Sequence, residues 1–102
     1  MRFRDLKPYD VPGSLAELRG PYSGLIDLPH GVRWQDDRLV VDVSNEGWRR
    51  MAYQALLAEG FVDEQRELLN RERLIEIWPV LHMDRRVREL WEGRFSELRA
   101  VT

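Results

Sequence analysis

A chain of 102 residues fits one domain and buries only roughly two thirds of the surface its unfolded form exposes, so its core is modest. With 43% hydrophobic and 33% charged residues and four tryptophans, the composition is that of a globular protein; the lack of cysteine excludes disulfides, thiolate metal sites and cysteine nucleophiles. The net charge of −2, with acids and bases interspersed, argues against generic attraction to nucleic acid or anionic membrane.

Basic charge is almost all arginine, Lys7 being the only lysine. Arginine suits planar, bidentate contacts at interfaces, although GC-rich coding produces the same bias. The opening Met1-Arg-Phe-Arg-Asp5 lacks the apolar core of a secretory signal, and no stretch approaches the roughly 20 apolar residues of a membrane span, which points to a cytoplasmic protein without membrane partners.

Residues 1–13 contain Pro8, Pro12 and Gly13 and no helical or strand period, which predicts an extended arm. Its Phe3, Leu6, Tyr9 and Val11 would lie across the domain itself or across a partner. The remaining residues, 14–102, are expected to form a single small α+β domain. Ser14 to Arg19 reads as a short helix with a capping box, Ser14 accepting from the Glu17 amide and Glu17 reaching back, and Gly20-Pro21 ends it.

Gly24 to Trp34 and Arg38 to Val43 are expected strands joined by a turn at Gln35-Asp36-Asp37, with Pro29 and Gly31 forcing a bulge, an edge or a break in the first. Two strands alone are marginal, so helices must cover the ribbon, or a third strand from Phe3 to Leu6 or another subunit must join it.

Ser44 or Asn45 caps the next helix, in which Trp48, Met51, Ala52, Ala55 and Leu56 form an apolar stripe while Arg49, Arg50 and Gln54 face away; Gly60 closes it. Asp63 caps a helix through Leu69. Leu68 and Leu69 are out of phase with the stripe of Leu74, Ile77 and Trp78, so a break is expected at Asn70, which caps its successor. Pro79 interrupts that helix, and Trp78 before it is biased away from helical geometry. After Asp84 as N-cap, Val87, Leu90 and Trp91 share a face, Gly93 is a candidate stop, and Phe95 and Leu98 trail behind. The whole is a short β-hairpin or small antiparallel sheet followed by three to four helices, with the two tryptophans between Leu74 and Leu98 at its packing centre.

Catalytic and metal-binding constellations are missing from this pattern. Asp36, Asp37 and Asp42 are explained by turn solvation and a strand-to-helix junction more simply than by acid–base or magnesium chemistry. His30 and His82 are too few for a protein-only zinc site and have no acid or nucleophile at motif spacing. Ser14, Ser23, Ser44 and Ser96 occupy no nucleophile elbow, and the glycines form no phosphate loop. The expectation is a non-enzyme without catalytic residues, cofactor or metal.

Two binding patterns do stand out. Trp48, Arg49, Tyr53, Trp78, Arg88 and Trp91 have the composition of interface hot spots, and a domain this small has difficulty burying four tryptophans, so at least one is expected in a partner-facing patch. The partner would be another protein or a second copy of the chain. Arg85, Arg86 and Arg88, opening the last helix after a compact preceding one, resemble the layout of a helix-turn-helix regulator, although Glu72, Glu76, Asp84, Glu89 and Glu92 would repel phosphate.

Leu15-Ala-Glu-Leu-Arg-Gly-Pro21, Leu28-Pro29, Leu74 to Leu81 with Trp78-Pro79-Val80, and Arg88-Glu-Leu-Trp-Glu-Gly-Arg-Phe-Ser-Glu-Leu98 resemble a family of short uncharacterised bacterial proteins associated with loci for nucleotidyltransferase-type toxins. The resemblance covers most of the chain from Ser14 onward, its motifs are structural, and it carries over no functional residue. A nucleotidyltransferase would need a Gly-Ser turn followed by an Asp-x-Asp pair, and no such pair follows Gly13-Ser14. The resemblance therefore implies the toxin's partner, antitoxin-like, rather than the toxin.

Overall fold

The computed structural model describes residues 11–28 and 39–99. Residues 1–10, 29–38 and 100–102, and the expectations placed on Phe3, Leu6, Tyr9, Pro29, His30, Gly31, Trp34, Asp36 and Asp37, lie outside the described residues. Two strands, β1 (Leu25–Leu28) and β2 (Leu39–Asp42), pair antiparallel with Leu25 opposite Asp42 and Leu28 opposite Leu39. Four helices follow: α1 (Glu46–Glu59), α2 (Val62–Leu68), α3 (Arg71–Ile77) and α4 (Arg85–Arg94). The protein is thus a small α+β fold, and among the described residues no helix is long and apolar enough to cross a membrane.

Alternation gives the ribbon its two faces. Ile26, Leu28 and Val41, with Val43 just beyond β2, enter the core, whereas Leu25, Asp27, Val40 and Asp42 are exposed. The Asp42 carboxylate accepts from the Ser44 amide at 2.9 Å, and the Ser44 hydroxyl accepts from the Gly24 amide at 2.9 Å. This junction turns the chain into α1, whose cap is Asn45: its Oδ1 accepts from the Trp48 amide at 2.9 Å.

The helix breaks follow local chemistry. α1 ends at Gly60, whose amide donates to the Leu56 carbonyl at 2.9 Å, and the buried Gln65 donates from Nε2 to the Leu56 and Gly60 carbonyls at 3.2 and 3.3 Å, tying α2 to the end of α1. α2 begins one residue before Asp63, which is not its cap; the Phe61 amide donates instead to the Glu64 carboxylate at 2.9 Å. Asn70 caps α3 as expected, accepting from the Arg73 amide at 3.0 Å, and its side-chain nitrogen also donates to the Gly20 carbonyl.

Trp78 is helical in spite of Pro79, with φ −50° and ψ −45°, because Pro79 opens a 3-10 turn at Trp78–Val80 that needs no amide from the proline. Asp84 caps α4. That helix runs through Gly93 to Arg94, so Gly93 is not its stop; the chain then forms a 3-10 turn at Ser96–Leu98 that buries Phe95 and Leu98.

Ser14 to Arg19 condenses into a 3-10 turn at Leu15–Glu17 instead of an α-helix, and the Ser14 hydroxyl accepts from Ala16 rather than Glu17. Three residues are too few for an α-helical box, and tertiary contacts hold the segment instead. The Arg19 amide donates to the Arg66 carbonyl at 2.8 Å and the Gly20 amide to the Leu69 carbonyl at 2.9 Å. Glu17 pairs with Arg66 at 2.7 Å and Arg19 with Glu67 at 2.7 Å.

The hydrogen bond from Arg66, helped by its charge and by the Gly13 and Ser14 amides, holds the Glu17 carboxyl below its ordinary pKa in spite of partial desolvation. A depressed carboxylate contributes stability above its unfolded pKa and loses it as pH falls through the folded value. Glu17→Gln is therefore expected to melt slightly below wild type at neutral pH, with the gap closing in acid. A gap that is constant with pH in thermal melts would contradict this.

Candidate functional site

The hydrophobic core takes most of the aromatic set. Trp78 and Trp91 are 2% and 0% exposed, with ring centroids 6.3 Å apart and planes tilted by 37°; Phe95 lies 5.3 Å from Trp91. Tyr53 is fully buried and its hydroxyl accepts the Asn70 amide at 3.0 Å, which ties α1 to the α2–α3 break. Burial pushes the Tyr53 pKa up. Trp78, Trp91 and Tyr53 are therefore packing residues in the folded chain and offer no surface to a partner.

Arg88 is half-buried and spent on the chain itself. It donates to the Leu81 carbonyl at 2.7 Å, the Trp78 carbonyl at 3.3 Å and Glu92 at 3.2 Å, while Glu92 also accepts the Trp78 indole N–H at 2.8 Å. Its guanidinium carbon lies 5.1 Å from the Trp78 ring centre. This cluster closes the break after α3, because carbonyls freed by the 3-10 turn need donors.

Arg85 pairs with Glu89 at 3.1 Å and Arg86 with Asp84 at 3.5 Å. Each of the three arginines proposed for a phosphate backbone thus stands beside a carboxylate of its own helix or cap. A neighbouring cleft of about 280 Å³ between Trp78, Pro79, Glu92 and Leu98 is mainly apolar. Its lining holds no histidine or serine, and among the described residues no three His, Cys, Asp or Glu side chains gather to hold a metal.

The site that remains is the first turn of α1. Here the stripe expected from the sequence holds at Ala52, Ala55 and Leu56 but not at its start: Trp48 is 46% exposed, and Arg49, expected to face away, is 8% exposed. The buried face of α1 runs through Arg49, Ala52, Tyr53, Ala55, Leu56 and Leu57. Burying Tyr53 and Leu56 fixes Arg49 on the inside and turns Trp48, about 100° away, outward. Glu46, Gly47 and Arg50 flank Trp48 on the surface. Of the six residues assigned to a partner, the structure leaves Trp48 on the surface and holds Arg49, Tyr53, Trp78, Arg88 and Trp91 in internal contacts.

The exposed Leu25 and Val40 on the outer ribbon face were not singled out from the sequence. The unbroken run Leu39-Val40-Val41 carried the signal, since a strand that covers only one face alternates.

Comparison of the chain with protein-family models, with curated proteins and with solved structures returns no match.

Proposed function

We propose that the protein is a non-catalytic protein-binding module that docks its partner on Trp48, and that this partner is the toxin of a toxin–antitoxin pair. The observation that carries the docking is the contrast among tryptophans: two are sealed in the core, and Trp48 is half exposed on a capped, well-anchored helix turn. Tryptophan is the side chain most enriched at interface hot spots, because a large rigid ring gains area at low entropic cost. Exposed Glu46 and Arg50 beside it supply the polar rim that such anchors have. The toxin as partner rests on the resemblance of the Leu15–Pro21 and Arg88–Leu98 stretches.

The test is capture by the tagged full chain, co-expressed with the nucleotidyltransferase-type toxin of its locus and repeated in host lysate with nuclease at low and high salt. A salt-resistant, stoichiometric complex is expected, and Trp48→Ala should weaken it at least about 30-fold, the effect of a 2 kcal/mol hot spot. Because the ring is half in water, that variant should keep the wild-type melting temperature within about 2 °C. Capture indifferent to Trp48→Ala, or capture only of nuclease-sensitive material, would overturn the proposal. No observation of comparable weight favours a DNA-binding regulator acting through Arg85, Arg86 and Arg88.

A further inference from the structure

The ribbon has one covered face and one bare face. Ile26, Leu28 and Val41 lie in the core, and α1 packs against β2. On the other face Leu25 is 68% and Val40 52% exposed. An apolar sheet face is ordinarily buried under a second layer, and this one has none among the described residues.

The register sets the two apolar side chains among acids. Leu25 stands opposite Asp42 and Asp27 opposite Val40, and residues two apart on a strand share a face. The outer surface is therefore a two-by-two lattice, with Leu25 and Val40 on one diagonal and the carboxylates of Asp27 and Asp42 on the other. Diagonal neighbours lie roughly 7–8 Å apart, so one segment laid over the ribbon touches all four. Asp42 accepts the Ser44 amide, and neither aspartate forms an ion pair among the described residues.

Charge selects what covers such a surface. A second copy, docking through the same face, brings two more aspartates and no lysine or arginine to it. Anionic lipid and nucleic acid meet the same repulsion. A segment that is apolar along its middle and basic along its borders buries Leu25 and Val40 and supplies counter-charges to Asp27 and Asp42. Helices are the usual cover of a sheet in α+β folds, and an amphipathic helix carries both features on one side.

We propose that Leu25, Asp27, Val40 and Asp42 form a docking surface for a basic amphipathic helix of a protein partner. The inference rests on the protein-binding proposal and adds the partner's chemistry. The ribbon is joined to the turn that carries Trp48, since the Gly24 amide donates to the Ser44 hydroxyl and Trp48 follows four residues later.

The probe is a synthetic amphipathic helix of leucine and lysine, titrated into the full-length 15N-labelled chain, with a leucine–glutamate helix of the same order as control. Amide shifts are expected to be confined to residues 24–27 and 40–44 and to saturate with a Kd below about 100 μM. The acidic helix should bind at least about tenfold more weakly. Asp27→Lys should weaken the basic helix at least about tenfold, and Leu25→Thr or Val40→Thr at least about threefold, with melting temperatures within about 2 °C of wild type as the check on folding.

Equal binding of the acidic helix, shifts centred elsewhere, or indifference to Asp27→Lys would overturn the docking surface. Self-association of the free chain abolished by Leu25→Thr would replace the basic helix by a second copy and overturn it equally. The two proposals fail separately. Capture that needs Trp48 and ignores Asp27→Lys would remove the ribbon surface and leave the module, whereas capture that ignores Trp48→Ala and is lost in Asp27→Lys would remove Trp48 as the anchor and leave the ribbon surface.

Discussion

Replacement of Trp91 by alanine is expected to remove about 3–5 kcal/mol of folding free energy. The ring is fully buried on α4, touching Trp78 at the α3 end and Phe95 at the start of the C-terminal turn. Its loss therefore leaves a cavity where three elements meet, and an aromatic core with neighbours on several sides collapses poorly. Chains of this size are stable by roughly 5–15 kcal/mol, so the variant should melt early or lose its cooperative transition.

Trp91→Phe separates volume from polarity. The indole Nε1 is buried without a hydrogen-bond partner, so phenylalanine removes an unsatisfied donor along with part of the ring. The variant is expected to lose less than half of what alanine loses. Urea unfolding at pH 7 reads both; an alanine variant within about 1 kcal/mol of wild type would refute the central role of this ring.

Gly20→Ala is expected to cost about 3 kcal/mol, unusual for one added methyl. A Cβ at this position would stand 2.3 Å from the Leu68 carbonyl oxygen, 2.4 Å from its carbon and 2.8 Å from the Leu69 oxygen. These are backbone atoms of the α2 end, so rotamer changes give no relief. Moving them would break the hydrogen bonds from the Gly20 amide to the Leu69 carbonyl and from the Arg19 amide to the Arg66 carbonyl, and the Asn70 contact to the Gly20 carbonyl. The position needs glycine because two backbones cross there, not because of a left-handed turn.

Gly93→Ala supplies the contrast. A Cβ there meets nothing within 4 Å on a helical turn, so alanine should stabilise by about 0.5–1 kcal/mol through propensity and unfolded-state entropy. Equal melting temperatures for the two variants would contradict the close approach at Gly20.

The sequence by itself determined several of the features whose chemistry closes within one helical turn, although the Ser14 box and the Asp63 cap did not form. Asn70, Asp84 and, of the pair Ser44 and Asn45, Asn45 cap helices because each side-chain oxygen meets an amide two or three residues ahead. The change of apolar phase after Leu69 and the break at Pro79 were legible for the same reason. So was the run Leu39-Val40-Val41 that makes β2 a strand. The class followed from these: a ribbon and three to four helices, of which the structure has four.

Only the tertiary structure decided the rest. Whether Trp48 or Arg49 lies inside is a rotation of about 100° on α1, and both choices give an amphipathic helix. The choice was made by Tyr53, whose hydroxyl meets the Asn70 amide, and by the Val43 carbonyl that receives Arg49. Likewise Trp78, Trp91 and Arg88 look like interface residues in composition; Trp91 is packed against Trp78 and Phe95, while Trp78 and Arg88 are held to the chain because Glu92 and the Leu81 carbonyl lie within their reach. Local caps are fixed by covalent spacing, whereas the burial of an aromatic or an arginine depends on partners many residues away that only the folded chain assembles.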